Sequence, residues 1–225
     1  MYRYLTWAVG ILALVPVIGA IGYDLTTERL ALAHAISARE EVVRPAGEVS
    51  NEGVERIVVI PLQPAAADRR PVQVNASGPL VEATRQEMGA AVHLQGAPQV
   101  FTESAAGSAW VELSPAVSAK LVGRTARITL WARADRQNPA REFAMALTID
   151  GGPAEWTRFS INPTAYESYA FNVPVPAEAA GKVLRVMIMP DADQKGAAIS
   201  ASHLIVDRVL RPGEADPAMI GHGNR

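Results

Sequence analysis

The residue types that carry most enzyme chemistry are scarce in this chain, and their spacing does not suit it. Cysteine is absent, which removes disulfides, thiolate zinc sites, cysteine nucleophiles and an acylated lipoprotein cysteine together. The 225 residues hold four histidines, none in a His-x-x-x-His or His-x-x-Glu-His pair that would hold zinc. No serine, Ser108 included, lies in a Gly-x-Ser-x-Gly turn with a usable base. His34 reads as a solvated helix residue and His222 as part of a polar tail. Asp191-Ala-Asp193-Gln-Lys195-Gly196 partly imitates an oxygen-donor calcium loop. Lys195 stands at a ligand position, however, and Ser202 stands where the closing Glu belongs, so a polar hairpin turn is expected. The expectation is a protein that is not an enzyme.

Binding chemistry is better represented. Thr125–Ala134 alternates with period two, placing Ala126, Ile128, Leu130 and Ala132 on one side. Arg127, Thr129, Trp131 and Arg133 fall on the other. An indole outside the apolar face suits stacking on the C–H face of a sugar, and the guanidinium groups suit acidic or hydroxyl-rich groups. The competing expectation is that Trp131 is covered by the Val72–Val100 segment and completes a second small cluster. Trp156 and Arg158 lie opposite Phe159 and Ile161 and are expected to extend the same outer surface. Net charge is −2 with both signs interspersed and no basic stripe, so nucleic acid is not an expected partner.

The elements that must position these residues read as short strands. Ile57–Leu62, Gln99–Glu103, Trp110–Leu113, Thr125–Ala134, Glu142–Asp150, Trp156–Ile161, Ser168–Val173, Val183–Met189 and Ala198–Leu210 are separated by turn signals. In Glu142–Asp150, Phe143, Met145, Leu147 and Ile149 share a side; in Ser168–Val173, Tyr169, Phe171 and Val173 do. One-sided strands with little helix between them predict two antiparallel sheets packed face to face. Ile128, Leu130, Leu147, Ile149, Phe159, Ile161, Phe171, Val186 and Ile188 are expected in one core.

Leu5–Tyr23 is a 19-residue run without charge, about 28 Å long as a helix, which matches the hydrocarbon core of a bilayer. Tyr2, Tyr4 and Trp7 sit at one end and Tyr23 at the other, with Arg3 before the run and Asp24 and Glu28 after it. This predicts a single-pass anchor in a bacterial inner membrane, N-terminus cytoplasmic and body periplasmic. Ala20-Ile21-Gly22 also fits a signal-peptide cleavage site, which places the body on the same side. The expected organisation is residues 1–24 as transmembrane anchor, 25–56 as helical stalk and linker, 57–212 as β-sandwich and 213–225 as disordered tail.

Several segments resemble the carbohydrate-binding, galactose-binding-like jelly rolls. Gly123-Arg-Thr-Ala-Arg-Ile-Thr-Leu-Trp131-Ala-Arg133-Ala134 is similar to their strand ending Trp-x-Arg/Lys-Ala. Trp156-Thr-Arg-Phe159 with Tyr166-Glu-Ser-Tyr169-Ala-Phe171 resembles their paired aromatic strands, although Tyr166 stands where Trp is usual. His203-Leu-Ile-Val-Asp207-Arg-Val209-Leu210 resembles their closing strand, with Arg208 replacing its second Asp. Gly78-Pro-Leu-Val-Glu82 resembles the opening one. The resemblance spans Val72–Arg211 and implies a mainly β jelly-roll sandwich. It further implies a structural calcium ion near Glu82 and Asp207, and no other cofactor. The expected function is a membrane-anchored, non-catalytic module binding glycan in envelope or polysaccharide assembly. The alternative is an accessory subunit packing on a membrane protein complex. Gly10, Ala13, Ala20 and Gly22 on the anchor suit helix packing.

Overall fold

The computed structural model describes residues 53–62, 71–74, 80–86, 89–96, 108–211 and 214, and for 80–86 and 89–90 the backbone alone. The expected anchor, stalk and Gln99–Glu103 strand lie outside the described residues. No helix among the described residues is long and apolar enough to cross a membrane.

Among the described residues, eleven strands form two antiparallel sheets. They are β1 (Val54–Pro61), β2 (Val72–Val74), β3 (Leu80–Gln86), β4 (Gly89–Gln95), β5 (Ala109–Glu112) and β6 (Arg124–Ala134). After them come β7 (Glu142–Ile149), β8 (Thr157–Ser160), β9 (Glu167–Val175), β10 (Leu184–Met189) and β11 (Ala198–Val209). The larger sheet runs β3-β4-β11-β6-β9, and β1 also pairs with β11; the smaller runs β2-β5-β10-β7-β8. The long β11 organises the larger sheet. One of its edges pairs with β4 over Ala198–Ala201 and with β1 over His203–Val209, while its other edge carries β6.

The register shifts between Ala201 and His203, so Ser202 is an extra residue opposite β6. That bulge keeps Ile199, Ala201, Leu204 and Val206 all in the core. Strict alternation would turn Leu204 and Val206 outward. A second shift between Arg56 and Val58 does the same for β1, where Ile57 enters the core and Val59 faces away from it.

All nine expected core residues join one cluster between the sheets. Ile128, Leu130, Ile161, Val186 and Ile188 are buried, and Leu147, Ile149, Phe159 and Phe171 pack against them partly buried. Phe143, Phe159 and Tyr169 form its aromatic centre, with ring centroids 5.0–6.0 Å apart.

Several boundaries differ from expectation. β1 begins at Val54, inside the span expected as linker, because Val54–Arg56 pair with Asp207–Val209. Pro115–Leu121 is a helix, α1, capped by the Ser114 hydroxyl and carrying Pro in its first turn. The chain leaves α1 through Gly123 at φ 71°, a left-handed conformation suited to glycine, and enters β6. Glu214, in the span expected as disordered tail, bonds the Arg124 guanidinium and accepts from the Arg211 amide at 2.9 Å. The Asp191 loop is a turn closed by its own carboxylate, which accepts from the Asp193 and Ala197 amides at 3.1 and 2.9 Å.

Candidate functional site

The face of the larger sheet turned away from the core carries the chemistry. Registers across β4, β11, β6 and β9 set its rows. His93, Ser200 and Arg133 form one, and His203, Trp131 and Ser168 the next. Val59, Ile205, Thr129 and Ala170 follow, then Arg56, Asp207, Arg127 and Asn172. Trp131, Arg127 and Arg133 share this face because they alternate with the core residues of β6, as expected.

Trp131 is not an open platform. It is 3% exposed and packs with Ala91, Tyr166 and Ile205, with Val59 against them. This second cluster includes Ala91 of β4, so the competing expectation from the sequence describes the indole's surroundings. Its ring stacks on His203 with centroids 5.7 Å apart. The Arg133 guanidinium lies over the Tyr166 ring at 5.2 Å. Burial raises the Tyr166 phenol above its ordinary value, against the opposing pull of Arg133.

In the two rows at Trp131 and Thr129, three buried polar atoms have no hydrogen-bond partner among the described residues: Trp131 Nε1, Thr129 Oγ1 and His203 Nε2. Such atoms are rare in folded proteins, and each costs about 1–3 kcal/mol when left unsatisfied. The other nitrogen of His203, Nδ1, meets Ser202 Oγ at 2.8 Å. Burial, then the charge of Arg56, lowers the His203 pKa to about 4, so the ring is neutral at physiological pH. Among the described residues no carboxylate holds its second nitrogen.

At one end of the face, His93 Nδ1 and an Asp135 oxygen lie 3.1 Å apart. Burial raises the Asp135 pKa, but the Gln137 and Asn138 amides and His93 outweigh it and hold the carboxyl below its ordinary range. At the other end, Arg56 Nε donates to Asp207 Oδ1 at 2.5 Å, with both side chains essentially sealed.

Two expectations are corrected. Trp156 and Arg158 do not join this face: β8 belongs to the smaller sheet, where Arg158 lies across from Ala144 and 3.7 Å from Glu142. Glu82 and Asp207 do not converge on one ion. Glu82 registers with His93 and hence with the Arg133 row, whereas Asp207 registers with Arg127. Six residues of β6 separate those rows, roughly 20 Å at about 3.3 Å per residue. Asp207 is moreover bound to Arg56. A calcium ion shared by that pair does not fit, and the described residues contain no group of three or more acidic or histidine side chains placed to hold a metal.

No protein-family profile matches the chain. No curated protein is detectably similar to it. Solved structures are. The CBM22-2 xylan-binding domain from Paenibacillus barcinonensis Xyn10C superposes with a TM-score of 0.50 at 14% identity, covering 67% of this chain and 98% of that one. The CBM22-1–CBM22-2 tandem domain from the same Xyn10C also gives 0.50 at 14%, covering 67% and 49%. The fold is that of a carbohydrate-binding-module jelly roll.

Within this jelly roll, sequence reasoning missed Tyr166, Ser200, His203 and Arg56 as members of the face. Tyr166 was readable only as a replaced tryptophan. The outward side of Ser200 and His203 depends on the Ser202 bulge, which no local pattern announces. Arg56 sits 151 residues from its partner.

Proposed function

We propose that this chain is a non-catalytic glycan-binding module. Its site is the outer face of the larger sheet around Trp131, with Arg133, Thr129, Tyr166, His203 and Arg127. One observation carries the reading. A sheet face outside the core concentrates an indole, a phenol, an imidazole, hydroxyls and guanidinium groups, and among the described residues Trp131 Nε1, Thr129 Oγ1 and His203 Nε2 have no partner. Sugar hydroxyls both donate and accept, and sugar C–H faces pack on aromatic rings, so a glycan supplies what these groups lack. The two arginines favour acidic or hydroxyl-dense polysaccharides.

Atoms this buried are reached only if the face opens. Association is then slower than on an exposed aromatic platform. The uncharged Leu5–Tyr23 run supports tethering of the module at the outer side of a bacterial inner membrane, in polysaccharide or envelope assembly.

The test is affinity electrophoresis of the full chain through gels containing xylan, the ligand class named for the similar solved domain, or acidic bacterial polysaccharides. Retardation of wild type, lost in a folded Trp131→Ala variant, is the expected result. Unretarded migration of folded wild type in every gel replaces this reading with that of an accessory subunit.

A further inference from the structure

A separate cavity opens at one end of the sandwich, between α1, the end of β5 and the turn leading into β10. Its volume is about 340 Å³, within the range of small-molecule sites. Leu113, Val122 and Val183 give it apolar walls, and Ser118 and Lys182 also line it. Val183 is one of the two large apolar side chains exposed among the described residues.

Two polar features give the cavity a preference. Ser118 is only 5% exposed, and its hydroxyl has no hydrogen-bond partner among the described residues. Lys182 lines the mouth without an ion-pair partner among the described residues. The nearby Glu112 is already occupied: Arg185 donates to one of its oxygens through Nε and Nη2, each at 3.2 Å. Of the charged side chains lining the cavity, Lys182 is thus the one not already paired, and the neighbouring Asp150 carboxylate accepts from the Val183 amide at 2.8 Å.

From this geometry we infer a second binding site, for a small apolar carboxylate. A ring or short branched chain seats against Leu113, Val122 and Val183, and the carboxylate meets Lys182. The site is separate from the glycan face, since its one strand residue, Glu112, belongs to β5 of the smaller sheet.

The probes are phenylacetate and its uncharged isostere phenylacetamide, titrated into the full chain by saturation-transfer NMR. The expected dissociation constant for phenylacetate is on the order of 1 mM. The amide is expected to bind about two- to fivefold more weakly, as is phenylacetate to Lys182→Met, the scale of one exposed ion pair. Ala119→Phe fills the cavity from an exposed helix position, so the fold is retained and binding is lost. Trp131→Ala leaves phenylacetate binding unchanged, which separates failure here from failure of the glycan reading. Absence of saturable binding up to roughly 10 mM, ten times that constant, overturns the proposal. Binding that survives Ala119→Phe in a folded protein does so too.

Discussion

Replacing Arg56 by methionine removes the cation from an ion pair sealed inside the protein. Arg56 is 0% and Asp207 1% exposed, and their contact joins β1 to the last strand. The deletion takes the bonded cation from a buried carboxylate and leaves Arg127, its neighbour on β6, as the nearest one in register. Breaking one side of a buried pair costs about 3–5 kcal/mol, whereas replacing both sides by apolar residues is often neutral. For a chain of this size each kcal/mol lowers Tm by about 2–4 °C, so Arg56→Met is expected to lose roughly 6–20 °C. The double variant Arg56→Met/Asp207→Leu is expected to recover most of that loss. Thermal melts followed by circular dichroism, with urea midpoints as a second probe, measure both. Addition of EDTA is expected to leave the wild-type Tm unchanged, since Arg56 takes the Asp207 carboxylate. A melt of Arg56→Met within about 2 °C of wild type, less than 1 kcal/mol on that scale, rules out the buried-pair penalty. A double variant no more stable than the single one rules it out as well.

Other consequences follow from the same packing. A Cβ at Gly96 would lie 2.6 Å from the Asp191 Cβ and 3.3 Å from the Ala197 carbonyl oxygen, so Gly96→Ala is expected to cost about 1–3 kcal/mol in urea unfolding. The Asn162 carboxamide accepts from the Thr164 and Ala165 amides and the Thr164 hydroxyl, and donates to Glu167; Asn162→Ala is expected to cost roughly 1–3 kcal/mol in the same assay. The His203 pKa falls from 6.5 to about 4 on folding, so between those values the unfolded chain binds the extra proton. His203 therefore contributes stability that is complete above about pH 6.5 and is lost as pH falls through 4, on the order of 3 kcal/mol in all. Urea midpoints of wild type and His203→Gln at several pH values between 4 and 7 should converge toward acid, and parallel curves would contradict this assignment.

Much of the fold was legible because it rests on local alternation. Thr125–Ala134 and Glu142–Asp150 each carry clean period-two patterns, and the residues they assigned to the core are there. β2 has only three residues, and β4 reads Gly-Ala-Ala-Val-His-Leu-Gln, with few β-branched or aromatic side chains. Those two strands gave no sequence signal and are held by pairing with β5, β3 and β11. Helix α1 was missed although Ser114-Pro115 is a recognisable cap and first-turn pair, because seven residues carry too little periodicity. At the site, alternation correctly set Trp131, Arg127 and Arg133 opposite the core. It failed for Trp156 and Arg158 because a strand's own pattern says which side is apolar, not which sheet it joins. Burial of Trp131 is likewise a non-local fact: Ala91 and Ile205 reach it from strands distant in sequence.

If the polar atoms around Trp131 meet a glycan, the Trp131 indole proton reports on it directly. The chain has four tryptophans, so a heteronuclear NMR spectrum of the full chain shows at most four indole N–H signals, and Trp131→Phe identifies the relevant one. On titration with the polysaccharide that retards the protein in gels, the account predicts a saturable downfield shift of the Trp131 signal as Nε1–H gains an acceptor. A Trp131 signal that stays in place while the polysaccharide binds and another indole moves would contradict it.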